Sequence, residues 1–259
     1  MKRFFLWLLI LCLLLLTACN TVQYKSNDMH FQIDFPESMT VLSPITTKAD
    51  DPALSEFGIE YEQLVNFGKE DGVFYGVQKG EQGTEEMIVT VSETTLSQEI
   101  WHLKETDLSA VNEFEQTVMD SFTQSGLVVR QKGNLRQDDA YCFFVNVGDE
   151  TSTEIHLIYM ATICNGLLYS VTYQSEAAAD EEKQQDVYTV FESFYVTEIS
   201  ANPNDTAQNN TTGKAIAATL LIGITTAIVI VLIRIFTLRH RKQEDPADYT
   251  PQFQNHKDR

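Results

Sequence analysis

Apolar and polar residues alternate over 30–35, with Phe31, Ile33 and Phe35 on one side and His30, Gln32 and Asp34 on the other. A two-residue period predicts a half-buried strand, closed here by Pro36. Residues 72–79 and 86–92 read as two further strands, joined through a glycine-containing connection at 80–84, while 43–56 reads as irregular. Between 107 and 125 the period becomes helical. Leu108, Val111, Phe114, Val118, Met119 and Phe122 line one face, and Glu113, Glu115 and Asp120 keep to the other. Gly126 is placed to end that helix, because a left-handed residue after a helix is usually glycine.

A meander follows, with strands predicted at 127–136, 140–147, 154–163 and 167–173. Asn165-Gly166 marks a tight hairpin between the last two, since a type I′ turn needs positive φ at both central residues. A second helix is predicted over 176–194, with Ser175 as its cap and Val187, Val190, Phe191 and Phe194 as its apolar stripe. Each helix has one apolar face, so both must pack on the sheet. The expectation is one α+β sandwich domain over 30–196, with a short polar lead-in at 20–29 and an Asn/Thr-rich linker at 197–213.

Two apolar runs stand apart from these periods. Lys2 and Arg3 precede an unbroken apolar run over 4–16, shorter than the ~20 residues that span a bilayer, so 1–19 reads as an export signal. Leu16-Thr17-Ala18-Cys19 resembles a bacterial lipobox, which makes Cys19 the lipidation candidate; ordinary cleavage or an uncleaved anchor is the alternative. Residues 215–233 carry no charge and would make a helix about 28 Å long, so a transmembrane helix is expected over 214–238. Arg234, Arg239, Arg241 and Lys242 follow it, which places a tail over 239–259 in the cytoplasm and 20–213 outside. Ala215, Thr219, Gly223 and Ala227 recur every four residues, a small-residue face through which two such helices could form a homodimer.

Charge follows the same division. The chain has a net charge of −19, yet residues 20–200 alone carry 32 acidic and 9 basic side chains. So acidic a domain repels phosphate backbones, which sets nucleic-acid binding aside. Of the four cysteines, only Cys142 and Cys164 fall in the domain. If Asp149-Glu150 is a hairpin tip, Cys142 faces about position 158. Cys164 then lies some 20 Å further along, beyond the ~7 Å that a disulfide allows. Two buried, unbridged thiols are therefore expected.

No Gly-x-Ser-x-Gly, phosphate loop or His-Glu-x-x-His occurs, so no catalytic residue is assigned. His30, His102 and His156 do not share metal-ligand spacing and read as ordinary surface or strand histidines. Asp180, Glu181, Glu182 and Asp186 cluster at the start of the last helix, where complementing the helix dipole accounts for them. No metal or cofactor is expected.

Residues 31–39, Phe-Gln-Ile-Asp-Phe-Pro-Glu-Ser-Met, resemble the opening strand-Pro signature of the PsbP-like superfamily. Ile158-Tyr159, the run 165–173 and the acidic helix closing on Ser193-Phe194 carry the resemblance to about residue 196. The resemblance implies an α/β/α sandwich on an antiparallel sheet, and a non-enzymatic binding or assembly role with no catalytic residues to carry over. The functional expectation is a non-catalytic, membrane-anchored extracytoplasmic binding or accessory module of the cell envelope, working with an envelope protein partner. An envelope hydrolase or a single-pass sensor is the alternative.

Overall fold

A computed structural model describes residues 21–203 apart from 71, 81–82, 137–139 and 150–152. Cys19, Ala215, Thr219, Gly223 and Ala227 lie outside the described residues, as do the export signal, the 215–233 run and the tail. Among the described residues no helix is long and apolar enough to cross a membrane.

The chain opens with β1 (Thr21–Ser26), β2 (Phe31–Pro36) and β3 (Thr40–Leu42), then α1 (Pro52–Phe57) and α2 (Tyr61–Glu70). β4 (Gly72–Gly80), β5 (Gly83–Glu93), α3 (Thr95–Ile100) and α4 (Leu108–Gln124) follow. The meander is β6 (Val128–Arg136), β7 (Tyr141–Gly148), β8 (Leu157–Cys164) and β9 (Leu167–Ser175), and α5 (Glu181–Ser193) and β10 (Tyr195–Val196) close the domain. Two antiparallel sheets result. Seven strands run in the order β3-β4-β5-β9-β8-β7-β6, and β1-β2-β10 form a small second sheet.

Side-chain alternation on the large sheet decides which helix covers which face. Val89, Val171, Met160 and Phe144 share one face, which packs against Phe31, Ile33 and Phe35 of the small sheet and Val187, Val190 and Phe191 of α5. The opposite face has two apolar patches. Val111, Phe114, Val118 and Phe122 of α4 meet Val145, Tyr159 and Ala161, with the Phe122 and Tyr159 rings edge to face at 5.4 Å. Leu54 of α1 and Leu64 of α2 meet Tyr75, Val77 and Ile88. Burying each such side chain contributes roughly 1.5–3 kcal/mol. Between the patches the same face carries buried polar groups. Thr90 and Ser170 hydroxyls lie 2.6 Å apart, and Gln174 Nε2 donates to the Glu86 carboxylate.

The α+β class and the antiparallel sheet agree with the sequence reading, but several particulars do not. The lead-in at 20–29 contains β1, whose exposed edge lacks the alternation that marks a buried strand. The irregular stretch at 43–56 contains α1, a helix of one and a half turns capped by Asp51, too short to show a period. Leu108 is 73% exposed, because as the first residue of α4 it precedes the buried stripe. The cap of α5 is Asp180, whose Oδ1 accepts from Lys183 N at 2.9 Å, because β9 runs through Ser175. The expected helix C′ glycine holds, with Gly126 at φ +74°, and so does the tight turn, with Asn165 at +56° and Gly166 at +72°.

Cys142 and Cys164 are both buried and not disulfide-bonded. The spacing argued for them is overturned. Phe143 pairs with Ala161, so the same register sets Cys142 opposite Thr162 and not opposite position 158. The β7–β8 connection is longer than a two-residue turn at Asp149-Glu150, and each added loop residue moves the register along. Cys164 is therefore a diagonal neighbour of Cys142.

Candidate functional site

Gly80 closes β4 and Gly83 opens β5, and the two face each other as a ladder pair at the sheet rim. Gly83 has φ +132°, and a Cβ there would stand 2.8 Å from Glu176 Cβ, so glycine lets the 176–180 connection cross the rim closely. That connection is pinned by Glu176 N donating to Thr84 O at 3.2 Å and Ala179 N donating to Ile155 O at 2.7 Å. It then turns into α5 through the Asp180 cap. A cleft of about 350 Å³ opens here, lined by Glu85, Tyr173, Ser175, Asp180, Glu182, Lys183 and Asp186.

Its charge is uneven. Lys183 Nζ is tied to Glu85 at 3.0 Å, and Gln78 Nε2 donates to the same Glu85 oxygen at 2.8 Å. Asp180, Glu182 and Asp186 are exposed and lie along the first two turns of α5. The Tyr173 ring is buried against the core, and burial, reinforced by the nearby Glu85 carboxylate, pushes its hydroxyl well above the usual tyrosine range. At neutral pH the cleft therefore offers a neutral phenol and a surplus of carboxylates. That chemistry attracts an ammonium or guanidinium group rather than an anion.

The carboxylate cluster read from the sequence is thus partly brought together and partly reassigned. Asp180 is occupied as a helix cap, and Glu85, which no local pattern marks, joins from a different strand. Among the described residues no group of three or more His, Cys, Asp or Glu could hold a metal ion.

The three histidines make separate contacts. His30 Nδ1 lies 3.1 Å from Glu198 on the surface, and His156 Nε2 lies 3.5 Å from Glu154. His102, read as an ordinary strand or surface residue, is buried instead. Its Nε2 lies 2.7 Å from Ser200 O, and its Nδ1 accepts from Asn165 N at 3.2 Å and lies 3.5 Å from Cys164 Sγ. Asn165 also donates through Nδ2 to Glu198 O at 2.5 Å and accepts from Ser200 N at 2.8 Å. Trp101 Nε1 donates to Ser200 O as well, at 3.3 Å. Residues 197–200, expected to begin the linker, are therefore strapped onto the β8–β9 turn. A single sequence shows no signal for this corner, because its parts come from positions 30, 101–102, 164–165 and 198–200.

No family model matches the chain, and no curated protein matches it. Among solved structures it is similar to the solution structure of cyanobacterial PsbP (CyanoP) from Synechocystis sp. PCC 6803. That likeness has 15% identity and a TM-score of 0.39, over 70% of this chain and 94% of that one. It is also similar to the Ran-binding protein Mog1p of Saccharomyces cerevisiae, at 12% identity and a TM-score of 0.38, over 70% of this chain and 97% of that one.

Proposed function

We propose that the chain is a non-catalytic, membrane-anchored extracytoplasmic binding module, and that its cleft takes a basic segment of an envelope protein partner. The observation that carries this reading is the acidic cleft at the start of α5, where Glu182 and Asp186 stand exposed and the nearby lysine is already paired with Glu85. Rigid elements hold the cleft: the β4–β5 rim on one side and the α5 cap on the other. A pre-formed site of opposite charge raises encounter rates and selects partners by sign.

The test is binding of a fluorescent lysine-rich peptide to the full-length protein in detergent, with a glutamate-rich peptide of equal length as control. Glu182→Lys with Asp186→Lys should weaken the lysine-rich peptide by about tenfold or more at low salt, and rising ionic strength should weaken the wild type alike. Equal binding of the two peptides, or no loss in the double variant, would end this reading.

Anchoring belongs to the same proposal. The lipobox-like run at 16–19 supports a lipid on Cys19, and the 215–233 run with its basic flank supports a single membrane crossing, outside to inside. The mass of the mature N-terminal peptide is expected to show a diacylated Cys19. An unmodified mature N-terminus beyond residue 19, or an intact signal, would remove the lipid anchor and leave the helix as the sole tether.

A further inference from the structure

Cys164 closes β8, and Cys142 stands at the start of β7 on the neighbouring strand. The last pair of the β7–β8 ladder is Phe143–Ala161, so both cysteines lie just past it, diagonal to one another on one face. Both sit in the same apolar cluster as Met160 and Phe144. Diagonal neighbours have Cα atoms about 7–8 Å apart, close to the ~6.8 Å upper range of disulfides. Beyond the last ladder pair the strand ends are held by a single side-chain bond, Thr162 Oγ1 donating to Tyr141 O at 2.7 Å, so the remaining approach of about an ångström needs only a local adjustment there.

The contact at Cys164 has a defined polarity. A backbone carbonyl only accepts, so the 2.7 Å bond to Ser200 O places the proton of His102 on Nε2. Asn165 N–H donates to Nδ1 from its other side. The single in-plane lone pair of Nδ1 is therefore shared between the Asn165 N–H and the Cys164 thiol at 3.5 Å, which sets a basic nitrogen beside the sulfur nucleophile.

We propose that Cys164 is a site of thiol–disulfide exchange, with Cys142 as its resolving partner, and that it reacts with a low-molecular-weight disulfide or a thiol–disulfide oxidoreductase. In the first step the Cys164 proton passes to His102 Nδ1 and the sulfur attacks one sulfur of the incoming disulfide. That S–S bond breaks, and the leaving thiolate takes up the proton. In the second step Cys142 attacks Cys164 Sγ, the Cys142–Cys164 bond forms, and the second thiol departs with the Cys142 proton. Two protein thiols are oxidised by two electrons, and one disulfide is reduced to two thiols. The order of attack follows from the surroundings. Burial pushes the Cys142 thiol up to about 12, against attack by Cys142 first, whereas Cys164 has an imidazole beside it. The strap over 197–200 covers this corner, and exchange proceeds when that strap lifts. The oxidant in the cell depends on the extracytoplasmic placement proposed above; the chemistry does not depend on what the cleft binds.

The test incubates the full-length protein in detergent, without denaturant, with glutathione disulfide, then quenches with an alkylating agent and maps peptides. The expected product is a Cys142–Cys164 crosslinked peptide, and in Cys142→Ser the glutathione stays on Cys164. Wild-type protein in which both thiols are still fully alkylated, or a crosslink that forms only in urea, or stable glutathione on Cys142, overturns the proposal.

Discussion

Phe31→Ala is expected to lower the unfolding free energy by about 3–5 kcal/mol, the range for truncating a fully buried aromatic side chain. Phe31 is wholly buried at the point where the small sheet meets the large one. Its ring stacks on Phe194 at a centroid distance of 5.9 Å and meets Phe74 and Tyr169 edge to face at 5.4 and 6.4 Å. These partners belong to β4, to β9 and to the residue that follows α5, so the cavity left by alanine would be walled by three elements that cannot all close on it. Because β2 also pairs with β10 at Phe31–Val196, the strap at 197–200 should loosen along with the core. Urea unfolding followed by near-ultraviolet circular dichroism measures the loss. A change below about 1 kcal/mol would mean that the small sheet is not part of the cooperative core.

The second large effect is expected from Asn146→Ala, at about 2–3 kcal/mol. Asn146 is completely buried on β7 and faces α5. Its Nδ2 lies 3.0 Å from Gln184 Oε1 and 2.6 Å from Tyr188 Oη, and Tyr188 Oη lies 2.9 Å from its Oδ1. Removing the amide takes a partner at once from the Tyr188 hydroxyl and from the Gln184 and Gln131 side-chain oxygens, and a polar group left unsatisfied costs more than a hydrogen bond contributes. Tyr188→Phe alone should cost less, since Asn146 keeps Gln184. The double variant should fall short of the sum by about 0.5–3 kcal/mol, the coupling expected of contacting residues. Strict additivity would show that the β7–α5 bridge contributes nothing as a unit.

Local periodicity and local turn chemistry were readable in this chain. The stripe Val111, Phe114, Val118 and Phe122 specifies α4, because a single amphipathic face can be buried in one way only. Asn165-Gly166 specifies the β8–β9 turn, because few residues accept positive φ at two successive positions. From these came the α+β class, the antiparallel meander and the helix that caps it. The membrane-facing reading of the two apolar runs rests on the sequence as well, since hydrophobic length and flanking charge are local quantities.

The tertiary structure decided what depends on distance along the chain. The length of the β7–β8 connection moved Cys142 from opposite position 158 to opposite Thr162, and the pair of thiols from far apart to diagonal neighbours. The small sheet could not be foreseen, because β1 is exposed along most of its length and β10 has two residues, so neither shows a period. The cleft draws Gly80, Gly83 and Glu85 to the start of α5 across about a hundred residues of sequence. The buried His102 owes its role to Ser200 and Cys164, which the β8–β9 turn and the strap bring to it. Pattern reports which face of an element is buried. Which groups meet on that face is set by strand register and loop length, and those are fixed only when all the apolar faces are buried at once.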